Sequence, residues 1–181
     1  MKPFPTVAVP HQDIIDDKLT MEVFAANLWE VFKNRAPEEY QDSETFFKKT
    51  YETQGLKNII EITRKRLEGE GGDPVIQLQT PFGGGKTHTL IALYHRAKEM
   101  GAKTVVISGT ALDPKDITIW EEMEGQLTGK VDKLEGNTSP GHEKIRTLLD
   151  DNKPVLILID ELLEYATKAA GVKVEGSNLA S

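Results

Sequence analysis

Residues 75–90 constrain this chain more than any other stretch. They read Val75-Ile76-Gln77-Leu78-Gln79-Thr80-Pro81-Phe82-Gly83-Gly84-Gly85-Lys86-Thr87-His88-Thr89-Leu90. An apolar run suited to a strand meets three consecutive glycines, and Gly-Lys-Thr then opens a stretch with helical spacing. A strand-to-helix turn of this kind presents unpaired N–H groups and the positive end of a helix dipole. Glycines lack a Cβ, so the backbone can bend sharply and come close to an anion. The run matches the phosphate-loop pattern, Gly-x-x-x-x-Gly-Lys-Ser/Thr, except that Thr80 stands where the opening glycine belongs. The pattern spans Pro81, Phe82, Gly83, Gly84, Gly85, Lys86 and Thr87 as the phosphate-binding residues, and His88, one residue on along the first helical turn, would lie close to the phosphates. Lys86 would reach the β- and γ-phosphates, and the Thr87 hydroxyl would ligate Mg²⁺.

The second informative stretch is Val155-Leu156-Ile157-Leu158-Ile159-Asp160-Glu161. Five apolar residues in a row predict a fully buried parallel strand. Its acids emerge at the carboxyl end, where ligands bind in open α/β sheets. Asp160 suits the aspartate that holds Mg²⁺ through its water shell. Glu161 suits the general base that polarises an attacking water. Glu164, one helical turn on, reads as a surface residue within reach of the same site. His11, His95 and His142 have no ligand-like partners at metal spacing.

Around these two stretches the spacing predicts mostly helix. Thr20 would cap a helix to about Arg35, with Val23, Phe24, Asn27, Leu28, Val31 and Phe32 on its apolar stripe. A polar link, Pro37 to Gln41, leads to an Asp42-Ser43 cap and a short helix bearing Phe46, Phe47 and Tyr51. Gly55 opens a third helix, ended by Gly69, Gly71 and Gly72. After the glycine turn, Leu90, Leu93, Tyr94, Ala97 and Met100 predict a helix closed by Gly101. Thr104 to Ser108 is β-branched and apolar, so strand, turn, helix and strand make a βαβ unit with a parallel sheet. Asp113-Pro114 would cap a helix running to Leu127, and Ser139-Pro140 would start another, separated by a loop over 129–141. Gly171 to Ser181 reads as neither strand nor helix. The domain division is 1–70, a helical segment, and 71–181, the core.

Composition excludes several classes. None of the 181 residues is cysteine, which removes disulfides and thiolate metal sites. The longest apolar run, Val155 to Ile159, is far too short to span a membrane, and Met1 to Pro5 leads into no signal core. A cytoplasmic protein without membrane contact is expected. The net charge of −7 speaks against a surface committed to nucleic acid, so any such role would be indirect.

The Asp160-Glu161 pair distinguishes among phosphate-loop classes. Asn152-Lys153-Pro154-Val155 lacks the final Asp of a guanine-reading motif, and Asp160-Glu161-Leu162-Leu163 lacks the Gly that GTPases carry there. Phe46 to Leu56, Thr80 to His95 and Leu158 to Leu162 together resemble the domain-of-unknown-function 499 family of AAA+-like ATPases. The Pro-Phe-Gly-Gly-Gly-Lys-Thr-His run is the most specific part, and that family also lacks the opening glycine. The resemblance implies a three-layer α/β P-loop NTPase with ATP and Mg²⁺ as ligands. Asp160 and Thr87 would be metal ligands, and Lys86 and Glu161 the catalytic pair. It also implies hydrolysis that drives a larger, anti-phage or DNA-associated assembly with other subunits as partners. In that branch strand 1 lies between strands 5 and 4, and strand 3 between strands 4 and 2. Strands 1 (75–79), 2 (104–108) and 3 (155–159) are predicted here, whereas strands 4 and 5 have no sequence to form them. The expectation is therefore an amino-terminal piece of a longer ATPase, weak or inactive in hydrolysis alone. A non-hydrolysing nucleotide switch and a kinase of a small acceptor are the alternatives.

Overall fold

The computed structural model describes residues 15, 25–81, 83–174 and 177–179. The predicted Thr20 cap, with Val23 and Phe24, lies outside them, as do His11 and Phe82. The architecture is α/β, with a small parallel sheet covered by helices on both faces.

The chain begins with short helices α1 (Leu28–Phe32), α2 (Glu38–Gln41) and α3 (Ser43–Lys49), then the longer α4 (Gln54–Leu67). Asn27 caps α1 by accepting from the Glu30 N–H at 3.2 Å. It was expected inside the helix, but its side chain satisfies an otherwise unpaired donor better from outside. Asp42 caps α3 as predicted, its carboxylate accepting from the Thr45 N–H at 2.8 Å. The stretch read as a polar link contains α2, a single turn with Pro37 at its N-cap.

Helix α5 (Lys86–Glu99) follows the glycine turn, and strand β1 (Lys103–Ser108) follows α5. Next come α6 (Ile119–Thr128), α7 (His142–Asn152), strand β2 (Val155–Asp160) and α8 (Leu162–Ala170). Helix α6 starts later than Asp113-Pro114 suggested. Thr118 and Glu121 form a capping box there, each side chain taking the other's backbone N–H. Asp113 instead accepts from the Lys115 N–H at 2.9 Å in a local turn. Helix α7 starts at His142, with Gly141 rather than Ser139-Pro140 at its boundary. Residues past Gly171 form a two-residue antiparallel pair, β3 (Lys173–Val174) with β4 (Ser177–Asn178), where no regular structure was expected.

β1 and β2 run parallel, from Lys103 opposite Val155 to Ser108 opposite Asp160. The pleat divides their side chains between two cores. Val106 and Leu158 join Leu28, Val31, Phe46, Leu56 and Ile91 on one face. Val105 and Ile107 join Met123, Leu127, Leu148, Tyr165 and Ala169 on the other. The helical segment over 28–67 therefore packs on the same face as α5.

Two expectations about strands need correction. Val75 to Gln79 forms no strand among the described residues; Val75 and Ile76 face solvent, 80% and 42% exposed, while Leu78 is half-buried. A strand is stabilised by ladder hydrogen bonds and cross-strand pairs, and without a neighbour it only loses entropy. The order implied by the family resemblance places strands 4 and 5 beside it, and neither occurs among the described residues. For the same reason β2 is not fully buried. Among the described residues only β1 pairs with it, Leu158 is its one buried side chain, and Ile159 is 39% exposed.

Candidate phosphate-loop site

The turn from Thr80 to Lys86 depends on its glycines in two ways. Gly83 and Gly85 have φ of +76° and +75°, where a side chain costs about 1–2 kcal/mol. Gly84 is a steric case. A Cβ there would stand 2.4 Å from Thr80 Oγ1 and 2.9 Å from the Pro81 carbonyl oxygen. The Gly84 N–H donates to that same carbonyl at 3.0 Å. Thr80 thus occupies the opening-glycine position with its side chain against the bare face of Gly84.

Gly85 is the N-cap of α5 and supplies no side-chain cap, and the first turn of α5 carries no acid. The helix therefore offers its first N–H groups and dipole to an external anion. Lys86 folds back over the turn, Nζ donating to Thr80 O at 3.2 Å, to Pro81 O at 3.4 Å and to Thr80 Oγ1 at 3.4 Å. An ammonium so placed neutralises the carbonyl dipoles of the turn and lies beside the helix start.

The next residue joins the two motifs. The Thr87 hydroxyl donates to Asp160 Oδ2 at 2.8 Å, across 73 residues of sequence. Helix α5 brings Thr87 to the carboxyl end of β2 because both pack through Ile91, Leu93 and Leu158 into one core. A hydroxyl and a carboxylate meeting this way are hard oxygen donors of the kind Mg²⁺ takes. Glu161 follows, exposed, at the N-cap of α8 with φ 54° and ψ 39°. Among the described residues no group of three or more His, Asp or Glu is poised to hold a metal. Mg²⁺ bound with phosphates needs no such group, since it retains waters and takes one or two protein ligands.

A family model, the DUF499 N-terminal domain, matches residues 6–134. This chain belongs to the DUF499 family. The match takes in the glycine turn, Lys86 and Thr87 and stops short of Asp160 and Glu161. No curated protein and no solved structure matches.

Within this DUF499 chain the predicted site residues separate into two groups. Gly83, Gly84, Gly85 and Lys86 form the turn together with Pro81, Thr87 at the start of the same helix reaches Asp160 at the carboxyl end of β2, and Glu161 follows Asp160. His88 points toward the helical segment. Its Nε2 lies 2.9 Å from Thr50 Oγ1 and its ring centroid 4.6 Å from that of Phe46. Burial lowers the His88 pKa, favouring the neutral ring. His95 likewise packs inward, Nε2 lying 2.8 Å from the Tyr40 carbonyl oxygen. His142 is exposed beside Glu143.

Sequence reasoning overlooked two residues near the site. Thr50, 38 positions before His88, gave no signal of its own. Gly109 donates its N–H to the Asp160 carbonyl oxygen at 2.9 Å. A glycine directly after a buried strand was a readable sign of close backbone approach.

No helix among the described residues is long and apolar enough to cross a membrane.

Proposed function

We propose that this chain binds ATP with Mg²⁺ in a P-loop NTPase core and is the nucleotide-binding part of a DUF499 ATPase. The reading rests on one observation, the 2.8 Å contact between Thr87 and Asp160. Two motifs 73 residues apart, each suited to one half of a Mg²⁺–phosphate site, meet side chain to side chain. The parallel β1–β2 pair, with helices on both faces, is compatible with that core.

In this reading the Gly83–Gly85 amides and the start of α5 cradle the phosphates. Lys86 exchanges the Thr80 and Pro81 carbonyls for β- and γ-phosphate oxygens, so a cation already held at the turn is reused. Thr87 Oγ1 would hold Mg²⁺ directly and Asp160 through its water shell. The ion, when bound, neutralises charge on the phosphate oxygens. Glu161 takes a proton from the attacking water. Work on a larger assembly is the role such hydrolysis would serve.

A binding assay with a fluorescent ATP analogue tests the first half. Wild-type chain should bind with Mg²⁺ and lose at least about tenfold in affinity when Mg²⁺ is chelated. Lys86→Ala should abolish binding. Thr87→Val and Asp160→Asn should each weaken Mg²⁺-dependent binding, and the double variant should be no worse than the poorer single, because both act on one ion. Additive losses would argue against a shared site. For hydrolysis, Glu161→Gln should retain binding and stop phosphate release.

A further inference from the structure

Loop 109–112, which leaves β1, lies directly on the backbone of the Asp160–Glu161 turn. In register Ser108 faces Asp160, and Gly109 adds one more rung by donating to the Asp160 carbonyl oxygen at 2.9 Å. A Cβ on Gly109 would stand 1.9 Å from Glu161 O, 2.7 Å from Glu161 C and 2.9 Å from Tyr165 N. Every one of these is a backbone atom, so no side chain could be accommodated by a rotamer change.

The turn beneath this loop holds an uncommon conformation. Glu161 is a non-glycine residue at φ 54°, one of two such positive-φ residues among those described. That conformation costs on the order of 1–2 kcal/mol and persists only where the surroundings over-determine it. One constraint is the Gly109 contact. The other comes from seven residues further along α8. Lys168 Nζ donates to Gly109 O at 2.9 Å, Thr110 O at 2.9 Å and Leu112 O at 3.2 Å. An ammonium has three protons, and all three are spent on the carbonyls of this one loop. Glycine contact at the start of α8 and the lysine grip near its end together fix how α8 sits against β1.

We propose that Lys168 is a positioning residue that ties loop 109–112 to α8, holds the Glu161 backbone in its left-handed conformation and so sets where the Glu161 carboxylate stands. The functional part rests on the reading of Glu161 as the base that activates water. The structural part does not. Lys86 and Thr87 belong to α5, which the clasp does not touch, and Asp160 is held by its place in β2 opposite Ser108 as well as by Gly109, so nucleotide affinity should change little.

The test uses the whole chain carrying Lys168→Met, which keeps a long unbranched side chain only one atom shorter and removes all donors, with Lys168→Gln as a second variant should the first fail to fold. Amide hydrogen exchange is read at Gly109, at Leu112 and at Glu164, whose N–H donates to Glu161 O at 2.9 Å. All three should exchange about tenfold faster or more, while Val105 and Val106 within β1 stay within about twofold. In steady-state ATP hydrolysis kcat should fall about tenfold or more with KM within about twofold, since a displaced base slows chemistry without weakening binding. Unchanged exchange at Gly109 or Glu164 overturns the clasp, and so does freed exchange with an unchanged kcat. Where the chain turns over too slowly for kcat to be read, the clasp stands or falls on exchange alone, and a wild-type chain without Lys86-dependent binding of the ATP analogue would count against the ATPase reading instead.

Discussion

The Thr50 hydroxyl accepts a hydrogen bond from His88 Nε2 at 2.9 Å. The direction follows from counting protons. Thr50 Oγ1 has a single proton and donates it to the Phe46 carbonyl oxygen at 2.7 Å, so the proton between Thr50 and His88 belongs to the imidazole. This bond, with the Phe46 ring against His88, joins α3 to the first turn of α5, the turn that carries Lys86 and Thr87. The helical segment is thereby part of the support beneath the glycine turn.

Replacing His88 should cost stability with a recognisable pH signature. His88→Ala loses the ring contact and leaves Thr50 short of a donor, a loss of about 1–2 kcal/mol in urea unfolding. Burial places the folded-state pKa of His88 below its ordinary 6.5. The unfolded chain then binds the proton more readily, so this contribution is fully present above 6.5 and is lost as pH falls toward the folded value. His95 is shifted in the same direction, first by its own burial. Between about pH 8 and about pH 5.5 the wild type should therefore lose stability, and His88→Gln should lose less without becoming flat. Equal slopes for the two would place the titration elsewhere.

The glycine turn should respond to side chains in function rather than in stability. Gly84 is exposed, so Gly84→Ala disturbs no core and the thermal midpoint should stay within about two degrees. Its new Cβ would nevertheless displace Thr80 and the Pro81 carbonyl, two of the groups that hold Lys86. ATP-analogue affinity should drop about tenfold or more. Adding Thr80→Gly removes the closest clash and should recover part of the loss, while the Pro81 carbonyl at 2.9 Å keeps recovery incomplete. An unaltered affinity in Gly84→Ala would dissociate this turn from nucleotide binding.

How legible these features were in the sequence depended on whether their stability is local. β1 and β2 were readable because β-branched apolar runs bury well against each other, and each is one residue longer than predicted. Helix α4 announced itself through an apolar stripe and terminal glycines. Val75 to Gln79 has the same composition as a strand yet forms none among the described residues, because pairing is a property of two segments and composition reports on one. The start of α6 was misplaced although Thr118 and Glu121 spell a capping box, since Asp113-Pro114 imitates a cap and a local Asx turn satisfied it instead. In the site, residue types were evident from the motifs, whereas the Thr87–Asp160 contact, the direction of His88 and the grip of Lys168 all depend on separations that spacing does not encode.

The loop over 129–141 shows how far a glycine-, serine- and proline-rich stretch can be ordered by charge. Glu124 on α6 is only 2% exposed, and backbone N–H groups satisfy its carboxylate. Its Oε2 accepts from Asp132 N at 3.0 Å and Leu134 N at 2.9 Å, and its Oε1 from Lys133 N at 2.9 Å. This places Leu134 in the core shared by Met123 and Leu127. Burial alone would raise the Glu124 pKa, but the three N–H donors outweigh it and the net shift is downward from 4.5. The stabilisation is therefore present above 4.5 and is lost as pH falls through the lower folded value. Glu124→Ala removes the acceptor from three N–H donors, the Leu134 one buried and the other two part-buried, and should cost about 2 kcal/mol or more in urea unfolding near neutral pH. Glu124→Gln should cost nearly as much, because one carboxylate oxygen becomes an N–H₂ group facing an N–H donor. With the ionisable group gone, the acid limb of the stability curve should be shallower in both variants than in wild type. It should not vanish, since Glu121 also has a lowered pKa and accepts from Gly136 N at 2.8 Å. A loss under about 0.5 kcal/mol in Glu124→Ala, typical of a surface substitution, would mean that the loop is held by Leu134 and the Trp120 indole bond to Gly136 rather than by the carboxylate.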